Sequence, residues 1–225
     1  GRSANDDNGH GTHVAGIVAA VDNSIGVVGV GPKIDLYAVK VLAANGSGWL
    51  SDIIEGLDWS IAKNIDVVNM SLGTSGFSQS FADAVKRVYD AGIVVVAAAG
   101  NSGSADNTVL YPAKFPESIA VSATASNDLL VSFSSRGPEV DLAAPGVSIY
   151  STYKGKKYAT LSGTSMAAPH VAGVAALVLA AGTCGACSPA DVQARLEATA
   201  EDFGAAGKDN LYGSGLVDAL AAVTP

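Results

Sequence analysis

Residues Leu161–Ala181 read LSGTSMAAPHVAGVAALVLAA. A turn of small residues, Ser162-Gly163-Thr164, opens a long apolar run, so Ser165 falls in a first helical turn. There, N–H groups without intrahelical partners meet the positive end of the helix dipole. Such a place suits an anion. Ala167, Ala168, Ala172, Gly173, Ala175 and Ala176 keep the helix thin, and apolar character on every side predicts a buried core helix. Pro169 lies about one turn in, where a slight kink is expected rather than a break. Read alone, a buried Ser or Thr at a helix start is more often an N-cap than a nucleophile. The Gly-x-Ser-x-Gly elbow is absent, because Ala167 stands where its closing glycine would be.

Outward from this helix the chain alternates strand and helix signals. Ile34–Leu42 reads as a strand, Ile53, Ile54, Leu57 and Ile61 have helical spacing, and Asp66–Leu72 is the next strand. Phe81, Ala84, Val85 and Val88 mark another helix before the continuous apolar run Ile93–Ala99, which suits a parallel strand buried on both faces. Ser118–Ala123 and Glu139–Ala143 add strands, and Val147–Tyr153 with Lys157–Leu161 forms a hairpin leading into the Ser165 helix. A helix from Pro189, capped by Ser188, and a last one near Val217 close the chain. The pattern predicts an α/β fold of three layers, a mostly parallel sheet with helices on both faces. Ligands of such sheets gather at the carboxyl ends of strands. Here those ends are Ser71-Leu72-Gly73 and Gly100-Asn101.

With 225 residues, 48% apolar and 15% charged, the chain is long enough for one domain spanning 1–225 with a large core. Thirteen Lys and Arg stand against 21 Asp and Glu, a formal charge of −8 without a basic cluster, which argues against nucleic acid as a partner. The longest apolar stretch is interrupted by Ser162, Thr164, Pro169 and His170, so no membrane partner is expected. Gly1–Gly9 reads as the middle of a loop, without a leader or an initiating Met. That predicts a fragment or a processed product.

An activated serine needs a base in hydrogen-bond reach, and only three histidines exist, His10, His13 and His170. His170 lies five residues after Ser165 and points elsewhere; His10 stands at the mouth of its helix, and His13 one turn deeper. The two could also suggest a metal, but they lack the i,i+4 spacing and the glutamate of a zincin. Asn101, after a buried strand and Gly100, is either a turn residue or a side-chain donor at the sheet's carboxyl end. Cys184 and Cys187 are too few for a four-ligand zinc site, and a local disulfide is preferred over free thiols.

Three motifs, Asn8-Gly9-His10-Gly11-Thr12-His13-Val14-Ala15-Gly16, Val95–Asn101 and Gly163–Gly173, resemble those of the subtilisin-like serine proteases, in the family's order. Similarity continues through Leu36–Leu42, Asn69–Gly73 and Ala144–Val147, so it runs from about Asp6 to Ala222. The resemblance implies a secreted, monomeric serine endopeptidase that cleaves protein or peptide substrates through an acyl-enzyme. It makes Ser165 the nucleophile, His10 the general base and Asn101 an oxyanion donor. Gly46-Ser47-Gly48 and Ser71-Leu72-Gly73 would flank the substrate strand. Ala98, Ala99 and Gly100 would line a pocket for an apolar side chain before the scissile bond, narrowed by Leu110, and Met166 would be prone to oxidation.

By the same resemblance a structural Ca²⁺ is expected on Val21, Asn23, Ile25 and Val27, and a weaker cation site around Ala113, Phe115, Ser118, Glu139 and Asp141. An inhibitory N-terminal propeptide is a further expected partner. The family's catalytic aspartate sits in an Asp-(Ser/Thr)-Gly setting before the histidine, and neither tripeptide occurs here. The expectation is therefore an N-terminally incomplete peptidase domain, nearly inactive by itself. The alternative is a non-catalytic relative acting as a binding module.

Overall fold

A computed structural model describes residues 4–103 and 105–225; of the opening loop, Gly1–Ser3 lie outside it. Its core is a sheet of four parallel strands in the order β1 (Val67–Met70), β2 (Val94–Ala98), β3 (Ser118–Thr124) and β4 (Val140–Pro145). Between β1 and β2 runs α3 (Gln79–Asp90), and before β1 come α1 (His10–Ala19) and α2 (Leu50–Ala62). β2 is buried at every residue, as a strand covered on both faces must be. Its alternation divides the core. Val94, Val96 and Ala98 face α4 (Thr164–Ala181), whereas Val95 and Ala97 face Phe81, Ala84, Val85 and Val88 of α3 and Leu57 of α2. The three-layer arrangement follows from those two packed faces.

The strongly apolar α4 lies against the sheet and carries Ala167, Ala168, Val171, Ala172, Val174, Ala175 and Val178 into the core. It is the one helix among the described residues long and apolar enough to span a membrane, yet most of it is buried in protein. The helix continues through Pro169 and ends at Gly182, whose φ of 66° provides the left-handed C-cap. The antiparallel hairpin of β5 (Ile149–Tyr153) and β6 (Lys157–Leu161) feeds directly into it. After α4 come α5 (Pro189–Ala198), opened by a Ser188/Asp191 capping box, and α6 (Ala219–Val223), capped by Asp218. The outer edge of β4 is covered by the tail, through Ala143 N–H to Gly215 O and Val217 N–H to Ala143 O.

One expected strand is not formed. Residues 35–41 have no regular structure and join no ladder among the described residues, and Leu36, Tyr37 and Val39 are 49%, 59% and 40% exposed. Apolar alternation specifies a strand only when a neighbour supplies backbone partners and a surface to cover. Val39 and Val41 pack on Gly56 of α2 and Tyr37 meets the ring of Trp59, but no described strand lies beside the segment to supply backbone partners. Cys184 and Cys187 are joined in a disulfide just beyond α4, with Cys184 buried against the core.

Candidate active site

The start of α4 is held by neighbours rather than by its own N-cap residue, Gly163, which has no side chain to cap with. Thr164 N–H and Thr164 Oγ–H both donate to Asn101 Oδ1, at 2.9 and 3.1 Å, and Gly100 N–H donates to Thr164 Oγ1 at 3.1 Å. The amide of Asn101 is thereby turned: its oxygen is consumed by the helix and its Nδ2 remains as a donor. Ser165 is the second residue of the helix, where geometry leaves the N–H without an intrahelical acceptor. Asn101, Thr164 and Ser165 line one cleft of about 330 Å³ together with Leu72, Gly73, Ala98, Gly100, Ser102 and Leu110.

Leu110 enters this cleft between two glycines. A Cβ on Gly73 would stand 3.1 Å from the Leu110 Cδ1, and one on Gly100 only 2.7 Å from its Cγ. Gly100 also has a φ of 115°, so both the backbone and the close approach demand glycine there. Leu110 N–H donates to Ala99 O at 2.9 Å. Ala99 itself is buried on the α3 side of the sheet, so it pins Leu110 from behind and does not line the cleft.

His10 is the first residue of α1, and residues 6–9 before it are tied down by hydrogen bonds. Asp6 accepts from the N–H groups of Asn8, Gly9 and Thr12 at 2.8–2.9 Å and from Thr12 Oγ–H at 2.6 Å. Burial works against its charge, but these donors, Thr12 first, outweigh it and hold the carboxyl far below the usual range. Asp6 is therefore a remote cap for α1. Asn8 Oδ1 accepts from His10 N–H at 3.1 Å, and Asn8 Nδ2 donates to Ala44 O at 2.8 Å, which ties the turn containing Gly46, Ser47 and Gly48 to the His10 loop. Asp7 is paired with Lys40 at 2.8 Å. Neither aspartate is hydrogen-bonded to the His10 ring.

α1 reaches α4 through Val14, Ile17 and Met166, and rests on β5 through Ser151 Oγ–H to His13 O and Thr152 Oγ–H to Thr12 O. Gly16 permits this, since a Cβ there would lie 2.2 Å from Thr152 Oγ1. His13 is fully buried, with Nε2 at 3.0 and 3.1 Å from Ile149 O and Ala159 O. His170 directs Nδ1 to Met166 O at 2.8 Å and serves the helix. Among the described residues no hydrogen bond joins His10 to Ser165; the Ser165 hydroxyl donates instead to Ser71 O at 3.3 Å.

A family model described as the subtilase family matches residues 1–215 of this chain. The chain belongs to the subtilase family. It is 52% identical to subtilisin DY of Bacillus licheniformis, over 99% of this chain and 80% of that one. It is 49% identical to a thermostable alkaline protease of Halalkalibacterium halodurans and 51% identical to subtilisin E of Bacillus subtilis, over 96% of this chain in each case. Those two comparisons cover 58% and 56% of the relatives' own lengths, so this subtilase chain spans a little over half of each.

Of the residues expected at the site, Ser165, Asn101, Leu72, Gly73, Ala98 and Gly100 meet in one cleft, and Ser71 touches Ser165 directly. His10 and the turn of Gly46–Gly48 are tied to each other through Asn8 and do not line that cleft. The sequence reading missed Thr164 and Asp6 as the residues that set Asn101 and α1. Their signal was present, a hydroxyl at a helix start and an aspartate shortly before one, but both patterns occur at ordinary caps.

Among the described residues no group of three or more His, Cys, Asp or Glu could hold a metal. Val21, Asn23, Ile25 and Val27 themselves offer only neutral oxygens, with Asn23 Oδ1 already accepting from Ile25 N–H at 2.8 Å; the loop's one carboxylate is Asp22. At the second expected cation site, Asp141 accepts from Lys208 Nζ at 2.6 Å and Ala120 N–H at 2.8 Å, and Glu139 faces Lys114 at 3.4 Å.

Proposed function

We propose that residues 1–225 form the catalytic domain of a secreted serine endopeptidase, with Ser165 as nucleophile. The observation that carries this is the shared cleft: the Ser165 hydroxyl, its orphan N–H and the Asn101 carboxamide, held by Thr164, converge on one space. A peptide carbonyl placed there would be attacked by Ser165 Oγ, and the oxyanion would be held by Ser165 N–H and Asn101 Nδ2. His10 takes the hydroxyl proton and returns it to the leaving amine. That step requires the hydroxyl to leave Ser71 O for the imidazole, an alignment that tightens with substrate bound.

The substrate strand lies between the backbones of Gly46–Gly48 and Ser71–Gly73, which fits broad specificity. Its apolar side chain before the scissile bond enters past Ala98 and Gly100 toward Leu110. Proteins and peptides are thus the partners, with a propeptide able to occupy the same groove. The disulfide accords with an extracellular location.

The family resemblance adds an aspartate upstream of His10 to orient the imidazole. Asp6 and Asp7 are both engaged elsewhere, so neither is that partner. In subtilisin, losing this group costs about 3 × 10⁴-fold in kcat, and residues 1–225 by themselves would be nearly inactive. Calcium fits the 21–27 loop by donor type, carbonyls of Val21, Ile25 and Val27 with Asn23 Oδ1, as a hard cation wants. When bound it would brace that loop; with no carboxylate among those four residues, binding is weak. A chelator should then lower the thermal midpoint, and an unchanged midpoint removes calcium from the account.

The deciding experiment is a fluorophosphonate probe applied to the gene product carrying this chain. Covalent labelling at Ser165, lost in Ser165→Ala, is expected. Absence of any adduct in the folded gene product would overturn the reading in favour of a non-catalytic binding module.

A further inference from the structure

Pro169 is the sixth residue of α4 and has no N–H. In a regular helix that N–H would serve the carbonyl four residues earlier, which is Ser165 O. The gap in the ladder therefore falls on the residue that carries the candidate nucleophile. Ser71 Oγ–H donates to that carbonyl at 2.8 Å from the loop after β1. Ser71 Oγ in turn accepts from Asn69 Nδ2 at 3.0 Å, while Ser71 O accepts from Ser165 Oγ–H at 3.3 Å. Both serines are partly buried, and Pro169 is buried. An unpaired carbonyl in such surroundings is costly, whereas a pair already desolvated is held firmly.

We propose that Ser71 is a positioning residue whose side-chain hydroxyl stands in for the N–H that Pro169 lacks and thereby fixes the Ser165 peptide. The order runs from strand to helix. Asn69 at the end of β1 orients the Ser71 hydroxyl, the hydroxyl holds Ser165 O, and the Ser165 N–H and Oγ keep their places at the mouth of the cleft. A helix with alanine at position 169 closes the ladder itself, so it has no need of Ser71. The catalytic consequence rests on Ser165 being the nucleophile; the clamp itself does not.

The test is a double-mutant cycle of wild type, Ser71→Ala, Pro169→Ala and the double variant in the gene product. Inactivation by the fluorophosphonate is resolved into a binding constant and a covalent rate, and urea midpoints are measured in parallel. With Pro169 in place, Ser71→Ala is expected to lower the covalent rate about tenfold with little change in binding, and Ser71→Thr to recover most of that loss. In the Pro169→Ala background the same Ser71→Ala change should cost less than about twofold, because the backbone N–H restored at that position takes the carbonyl. Equal losses in both backgrounds, or a loss confined to binding, overturn the proposal.

If the wild type is not labelled at all, the nucleophile reading fails, and the midpoints still decide the clamp. They must fall on Ser71→Ala with proline at position 169 and hold with alanine there; additive falls overturn it. A Ser71→Ala protein that folds only when Pro169→Ala is also present supports the clamp, and one that folds in neither background counts against it.

Discussion

Thr164 fixes the carboxamide of Asn101 by two hydrogen bonds, its N–H at 2.9 Å and its hydroxyl at 3.1 Å, both onto Oδ1. The donor end of Asn101 is thus aimed by a helix terminus instead of being free to rotate. Thr164→Val keeps the shape and the backbone bond but removes the hydroxyl, which also strands Gly100 N–H. The labelling rate of Ser165 should fall by about tenfold, through the covalent step. Asn101→Ala should fall further, on the order of 10²–10³, the magnitude known for such a donor in subtilisin. Equal effects of the two variants would mean that Thr164 does more than aim Asn101.

Leu110 stands at the wall of the cleft where Gly73 and Gly100 leave room for it. Leu110→Gly should deepen the pocket and shift the preferred residue before the scissile bond from medium apolar side chains to Phe and Tyr, by about tenfold or more in relative kcat/KM. A panel of peptides varied at that residue measures it. An unchanged ranking would place the specificity pocket elsewhere.

Burial lowers the His10 imidazole from its usual 6.5, neighbouring His13 adds to this, and Asp6 opposes it. A general base works in its neutral form, so the rate should fall as the pH drops through this lowered value. For residues 1–225 alone the acid limb of the labelling rate belongs below pH 6.5. A carboxylate docked on the ring favours the imidazolium and moves the limb upward. An acid limb above pH 6.5 would therefore report a carboxylate docked on the imidazole.

His13 makes stability itself depend on pH. Its Nε2 faces two carbonyls, its Nδ1 is buried without a partner, and burial lowers its pKa from 6.5 against the pull of those carbonyls. The fold prefers the neutral ring, and the unfolded chain takes up the proton first. Stability is intact above 6.5 and declines as the pH falls through the folded value. Urea midpoints at about pH 7.5 and 5.5 should differ, and His13→Gln should reduce the difference. A midpoint that does not vary between them would assign His13 no such part.

The layers and the ingredients of the site were legible in the residues alone. A five-residue apolar run such as β2 can only be a strand covered twice, and a thin apolar helix such as α4 can only be buried, because water is a poor neighbour for both. The motifs around His10, Asn101 and Ser165 stood out because glycine and small residues bracket them at turns. Which atoms are spent was settled by packing. Asp6 proved to be a cap, since its carboxylate meets three amides only once the loop closes. Ala99 turned away from the cleft, because the pleat sends alternate side chains to opposite layers. The expected strand at 34–42 found no partner, since backbone pairing is a property of neighbours and not of the segment. Ser71 was visible only as a rim residue; that its hydroxyl completes a ladder broken by Pro169, 98 positions away in the chain, depends on folding β1 against α4.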